Sequence, residues 1–227
     1  MTVKRPPILT ILFLVAQIPL YYLILTAGGS TLRCSEYAAI VLCFVHILLH
    51  IRTCDKFILG GLLCTVGADF CLVVCSPIQQ LWGMVFFLAA QTLYALKLHR
   101  NNPGKGLIIA RIALIVAALS VTILVLRENT DPLALVSLCY YANLIFNIIV
   151  ALTLWKREKL FAIALILFLL CDTVIGLQVA ARGYLPIAEG SILHRIIFMS
   201  FNLSWFFYLP SQVLISICGS HPSKKCT

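Results

Sequence analysis

Apolar runs of about twenty residues alternate with short polar or basic links along the whole chain. A helix needs roughly 20 mostly apolar residues to cross a bilayer. The pattern predicts eight crossings, at 8–27, 36–53, 57–76, 79–98, 105–126, 132–155, 160–181 and 194–217. The links leave no room for a soluble domain. Residues 1–227 are therefore expected to form a single all-α integral membrane domain, a bundle of eight transmembrane helices.

Composition agrees with this pattern. The chain is 62% hydrophobic and 11% charged, with a mean hydropathy of +1.04. Soluble domains carry about 25% charged residues. Lys4 and Arg5 precede the first span in the manner of a secretion signal. That span is longer than a signal's apolar region and contains Gln17 and Pro19, so it is expected to remain as a crossing.

The net charge of +9 is strongly sided. In an eight-span chain Lys4, Arg5, Arg52, Lys56, Lys97, Arg100, Lys105, Lys156, Arg157, Lys159, Lys224 and Lys225 fall on one side. Arg33, Arg127, Arg182 and Arg195 fall on the other. Cytoplasmic loops carry the excess of Lys and Arg, so both termini are expected in the cytoplasm. The basic groups then set topology and meet anionic lipid head groups, and no nucleic-acid partner is expected.

Two polar positions break the apolar pattern most sharply. Asp69 lies within "GGLLCTVGADFCLVVC", and Asp172 within "KLFAIALILFLLCDTVIGLQ". Lys56 precedes Asp69 and Lys159 precedes Asp172 by the same thirteen residues. At 1.5 Å per residue both carboxylates sit about 20 Å into their helices. Basic links, "HIRTCDK" and "WKREK", precede both spans. The chain reads as two parallel pseudo-repeats, about 1–100 and 104–218.

A carboxylate at a helix centre costs about 2.5–3.5 kcal/mol on insertion scales and usually marks a functional site. Other polar side chains can surround the pair. Gly61, Thr65 and Asp69 share one helix face, as do Tyr140, Asn143 and Asn147. Gln91 and Tyr94 lie on the fourth span, Asn202, Tyr208 and Gln212 on the eighth, and Gln17 and Tyr21 on the first. In lipid these groups turn inward, which predicts a polar interior around the two acids. Arg111, early in the fifth span, is expected to snorkel to the basic-side interface, the alternative being a counter-charge to an Asp or to a lipid phosphate.

Other chemistries find little support. Cys43, Cys64, Cys71, Cys75, Cys139 and Cys171 lie inside spans and read as packing residues, with no disulfide framework. His46 and His50 share a face, but a catalytic zinc needs a third protein ligand, so no metal is expected. No G-x-S-x-G elbow, P-loop or dinucleotide fingerprint occurs, and no cofactor is expected.

Several stretches resemble one family across nearly the whole chain. "GLLCTVGADFCLVV" followed by "GMVFFLAAQTLYALKL" is similar to the paired third and fourth spans of the YhhN-like lysoplasmalogenase family. "FLLCDTVIGL" resembles its second acidic motif, and "FFYLPSQVLIS" its last span. The chain departs from that pattern at Gln91, where the family often has His. Ala68 stands between Gly67 and Asp69, and Ser35, Glu36 and Tyr37 replace a Lys-Pro pair.

The resemblance implies hydrolysis of the vinyl ether bond of lysoplasmalogens, with Asp69 and Asp172 as catalytic residues. One carboxylic acid protonates carbon, and one carboxylate stabilises the oxocarbenium-like cation and orients water, as paired carboxylates do at glycosidic bonds. Gln91, Tyr94, Tyr140, Asn143, Asn147, Asn202, Tyr208 and Gln212 are the candidate substrate-binding residues. The implied partners are a lysophospholipid substrate and membrane lipids. Two other classes fit the same residues. Midplane carboxylates in a repeat suit a proton-coupled carrier, and Gln91 in place of His suits a catalytically silent lipid binder. Proton-driven flux in sealed vesicles identifies the first, and bound lipid without turnover the second.

Overall fold

In the computed structural model residues 8–101, 104–126, 131–183, 191–197, 199 and 201–220 are described, and all elements among them are helical. In chain order they are α1 (Ile8–Thr26), α2 (Gly29–Leu49), α3 (Lys56–Asp69) running into a π turn (Phe70–Val74), and α4 (Gln80–Asn101). Then follow α5 (Lys105–Leu126), α6 (Pro132–Thr153), α7 (Trp155–Gly183), α8 (Ile192–Ile197) and α9 (Leu203–Ser220). Seven helices are long and apolar enough to cross a membrane: α1, α2, α3 with its π turn, α4, α6, α7 and α9. Within α5 the described apolar stretch is the shorter Gly106–Ala117.

Three boundaries differ from the sequence pattern, each for a local reason. The helix expected over 36–53 is α2 and begins at Gly29, where a positive φ of 66° turns the chain sharply out of α1. Glu36 therefore lies two turns inside a helix instead of at its mouth. The span expected over 57–76 is not uniformly α-helical: after Asp69 it widens into the π turn, where Cys75 N–H reaches Phe70 C=O at 3.0 Å. The span expected over 194–217 is interrupted between α8 and α9. Asn202 Oδ1 accepts from Ser204 Oγ (2.9 Å) and Trp205 N–H (3.5 Å), so this residue caps α9 at its N-terminus.

The basic end of the bundle is closed by ion pairs. Asp55 caps α3 through Phe57 N–H (3.0 Å) and Ile58 N–H (3.4 Å), and it also receives the Arg100 guanidinium. Its own N–H reaches Gly219 C=O at 2.9 Å, which ties α9 to the same corner. Lys97 is buried against Glu158, with its ammonium 3.8 Å from the centre of the Phe161 ring. Lys97 and Arg100 thus cross-link helices. Glu158 itself sits where α7 kinks, at φ −116° and ψ 22°.

The α1–α2–α9 seam carries buried polar side chains that bond across it. His46 Nδ1 meets Ser216 Oγ at 2.8 Å, and its Nε2 meets Thr10 Oγ1 at 3.3 Å. Ser216 Oγ donates to Cys43 C=O at 2.8 Å, so His46 serves as an inter-helix connector. Gln17 Nε2 donates to Ala39 C=O at 3.0 Å in the same seam. Close seams also join α3 to α4, α4 to α6 and α7 to α9. These helices carry the interior described next.

Candidate functional site

Asp69 is the last residue of α3 before the π turn and is 3% exposed. The wider turn changes which residues face inward just beyond it, so Phe70 is exposed while Asp69 faces the core. Such single π turns recur at functional sites. Tyr208 Oη, on α9, donates to Asp69 Oδ2 at 2.7 Å. Glu36 on α2 is also buried and lies within electrostatic reach of Asp69. Asn202 Nδ2 donates to Glu36 Oε1 at 3.1 Å.

Asp172 sits on the regular helix α7 and is half-buried. Tyr140 Oη, on α6, donates to its Oδ2. Each acid therefore receives a tyrosine hydroxyl from a different helix. Among the described residues neither acid has an ion-pair partner. Hydrogen bonding and protonation are the remaining ways to offset carboxylate burial in so apolar a bundle.

The two tyrosines belong to one aromatic cluster. Phe87 on α4 lies 5.7 Å from Tyr140, 6.3 Å from Tyr208 and 5.6 Å from Phe168, centroid to centroid. Phe168 on α7 lies 5.4 Å from Tyr208 and 6.3 Å from Tyr140. Tyr140 is within electrostatic reach of both Asp172 and Asp69. The tertiary structure thus gathers Asp69, Asp172, Tyr140 and Tyr208 at one level of the bundle, from four helices.

Gln91, Asn143 and Asn147 form a second network, centred on a residue that the sequence pattern assigned to the interface. Arg111 does not snorkel: it is 8% exposed and points into the bundle. Its Nη1 donates to Asn143 Oδ1, and its Nη2 to Asn147 Oδ1 at 2.8 Å. The guanidinium carbon lies 4.9 Å from the centre of the Phe146 ring. Asn147 Nδ2 donates onward to Gln91 C=O (2.8 Å) and Gln91 Oε1 (2.9 Å). Amides on the inward face of α6 draw the side chain in, where snorkelling would leave their buried oxygens without these donors.

The remaining candidates are placed as follows. Tyr94 is fully buried between Gly61 and Phe161, with ring centroids 5.6 Å apart in the latter pair. A Cβ at Gly61 would fall 2.8 Å from Tyr94 Cζ, so that glycine makes room for the ring. Gln212 lies one turn from Tyr208 on α9, is fully buried, and makes no side-chain hydrogen bond among the described residues. Asn202 sits at the mouth of α9, beside Glu36. The sequence pattern passed over Glu36, Phe87 and Phe168, and it placed Arg111 at the interface. Glu36 was legible only by taking Gly28–Gly29 as the helix boundary, and phenylalanines in apolar spans carry no signal of their own.

No curated protein and no solved structure matches the chain. A family model does, over residues 33–217, which hold every candidate residue and leave α1 outside. The chain belongs to the YhhN family.

Proposed function

We propose that the protein is a membrane hydrolase that cleaves the vinyl ether bond of alkenyl-lysophospholipids. Asp69 and Asp172 act as its acid–base pair. The observation that carries this reading is the pairing of two intramembrane carboxylates with two tyrosine hydroxyls on one shared aromatic cluster. Membership of the YhhN family supports it.

In this reading one carboxyl is protonated and the other ionised. The acid delivers its proton to the vinyl carbon remote from oxygen. The C=C electron pair forms the new C–H bond, and positive charge develops on the oxygen-bearing carbon. The ionised carboxylate stabilises that charge and takes a proton from water as the water adds to it. The hemiacetal then collapses into a fatty aldehyde and a glycerophospho-alcohol. The tyrosine hydroxyls each fix one carboxylate oxygen and leave the other for this work. The rings around the pair keep bulk water out and strengthen these electrostatic interactions. The alkenyl tail lies among apolar helix faces, in a bundle crossing eight times in two parallel halves with both termini cytoplasmic.

The test is aldehyde release by purified protein from alkenyl-lysophospholipid, beside Asp69→Asn and Asp172→Asn. Release by the parent alone supports the reading. A fully active, folded variant of either kind overturns the two-acid mechanism. A folded parent without turnover moves the reading to lipid binding or transport.

A further inference from the structure

Among the described residues the buried guanidinium of Arg111 has no counter-charge. Among the described residues no carboxylate pairs with it, and the acids of the candidate site are engaged by tyrosines. An unpaired cation in a membrane interior is costly and is usually neutralised or functional. Asn143 and Asn147 hold two of its N–H groups through amide oxygens, which orient the fork without cancelling its charge. Among the described residues Arg111 Nε has no partner.

The hydrogen-bond directions along the network follow from that charge. A guanidinium only donates, so both asparagines must turn their oxygens to it. Asn147 then turns its NH₂ to Gln91 and takes Gln91 Oε1 as acceptor. This leaves Gln91 Nε2, in a fully buried side chain, as a donor without an acceptor. The network therefore ends in two unanswered donors, Arg111 Nε and Gln91 Nε2, and carries one uncancelled positive charge. That is the complement of an oxyanion. The Nε–Nη edge of an arginine is suited to bidentate contact with phosphate.

Position adds a second argument. Tyr140, Asn143 and Asn147 follow one another along one face of α6, so the network begins one turn from the tyrosine that holds Asp172. In a lysophospholipid the vinyl ether and the phosphate are separated only by the glycerol carbons. We infer that Arg111, held by Asn143 and Asn147 and extended by Gln91, forms a phosphate subsite that fixes the substrate head group beside the two acids. The inference deepens the lysophospholipid reading of the same interior and rests on it for the identity of the phosphate. It also gives Gln91 a use in which no titration is needed.

The experiment measures binding apart from turnover. Full-length protein in a neutral maltoside is titrated with an alkyl-lysophospholipid, whose saturated ether cannot be hydrolysed. The matched alkylglycerol and inorganic phosphate are titrated in parallel. The subsite predicts that the parent prefers the phospholipid by roughly tenfold to a hundredfold, the scale of a charged hydrogen bond. Arg111→Gln should abolish the preference. Arg111→Lys, which keeps the charge and loses the fork, should weaken it, and so should Gln91→Leu.

Preference for the lipid assigns the site to a head-group phosphate. Arg111-dependent binding of inorganic phosphate alone assigns it to the free anion. Equal binding of phospholipid and alkylglycerol by the parent, without phosphate binding, overturns the subsite. So does an unchanged preference in folded Arg111 variants. If those variants do not fold, the parent's preference and Gln91→Leu decide. Aldehyde release without preference removes the subsite and keeps the hydrolase, whereas preference without aldehyde does the reverse.

Discussion

Asp69 and Asp172 each stand thirteen residues after a lysine, Lys56 and Lys159, yet their surroundings differ. Asp69 ends an α-helical segment at a π turn, is almost fully buried, receives Tyr208 and lies within electrostatic reach of a third carboxylate, Glu36. Asp172 sits within α7, well past the kink at Glu158, is half-buried and receives Tyr140. The glycines on the two helices differ in the same sense. Gly61 on α3 is filled from outside by the Tyr94 ring, whereas a Cβ at Gly176 on α7 would meet nothing within 4 Å. One acid is enclosed by packing, and the other stands in a more open wall. Depth in the bilayer is set within a helix, and enclosure is set by its neighbours.

The strongest test of the pair is removal of each charge. Asp69→Asn and Asp172→Asn should each lower aldehyde release by about 10²–10⁴-fold, the usual range for a lost general acid or base. Thermal stability in detergent should change little for either. Retained turnover in one variant would mean that only the other acid is chemical.

The enclosure itself is tested at the glycines. Gly61→Ala gains up to about 1 kcal/mol of helix propensity. It should nevertheless lose about 1–3 kcal/mol net by forcing Tyr94 aside, since overpacked cores cost that much. Gly176→Ala has open space and should be neutral or stabilising by up to about 1 kcal/mol. Thermal unfolding of the two variants side by side measures the contrast, and equal shifts would erase it.

A smaller difference is expected at the tyrosines. Tyr208→Phe leaves an acceptor of Asp69 unanswered in a closed interior, which costs about 1–3 kcal/mol. Tyr140→Phe should cost less, because Asp172 is less completely buried than Asp69 and can find another donor. The smallest effect is one of access. A hydrophobic carbodiimide should modify Asp172 severalfold faster than Asp69, as peptide mapping by mass spectrometry would show. Faster modification of Asp69 would reverse the assignment of the open side.

The pattern of apolar runs determined the membrane class and placed most helices to within a few residues. It also determined the two acids, because a lone carboxylate in twenty apolar residues is conspicuous at any level of reading. Tyr140, Asn143 and Asn147 were legible as one inward face from their spacing alone. Helical periodicity is local, so these features need no partner helix to be read.

Only the tertiary structure decided which groups meet. Tyr208 reaches Asp69 across 139 positions of sequence, and nothing in either helix announces the other. Arg111 looked like an interfacial cation until two asparagines of α6 were set before it. Glu36 became interior when a left-handed glycine moved the start of α2. In a bundle whose helices are apolar on nearly every side, hydropathy fixes how far along the membrane normal a residue lies. Which neighbour it faces is fixed by packing, where a glycine, a π turn or a single hydrogen bond chooses among otherwise similar apolar surfaces.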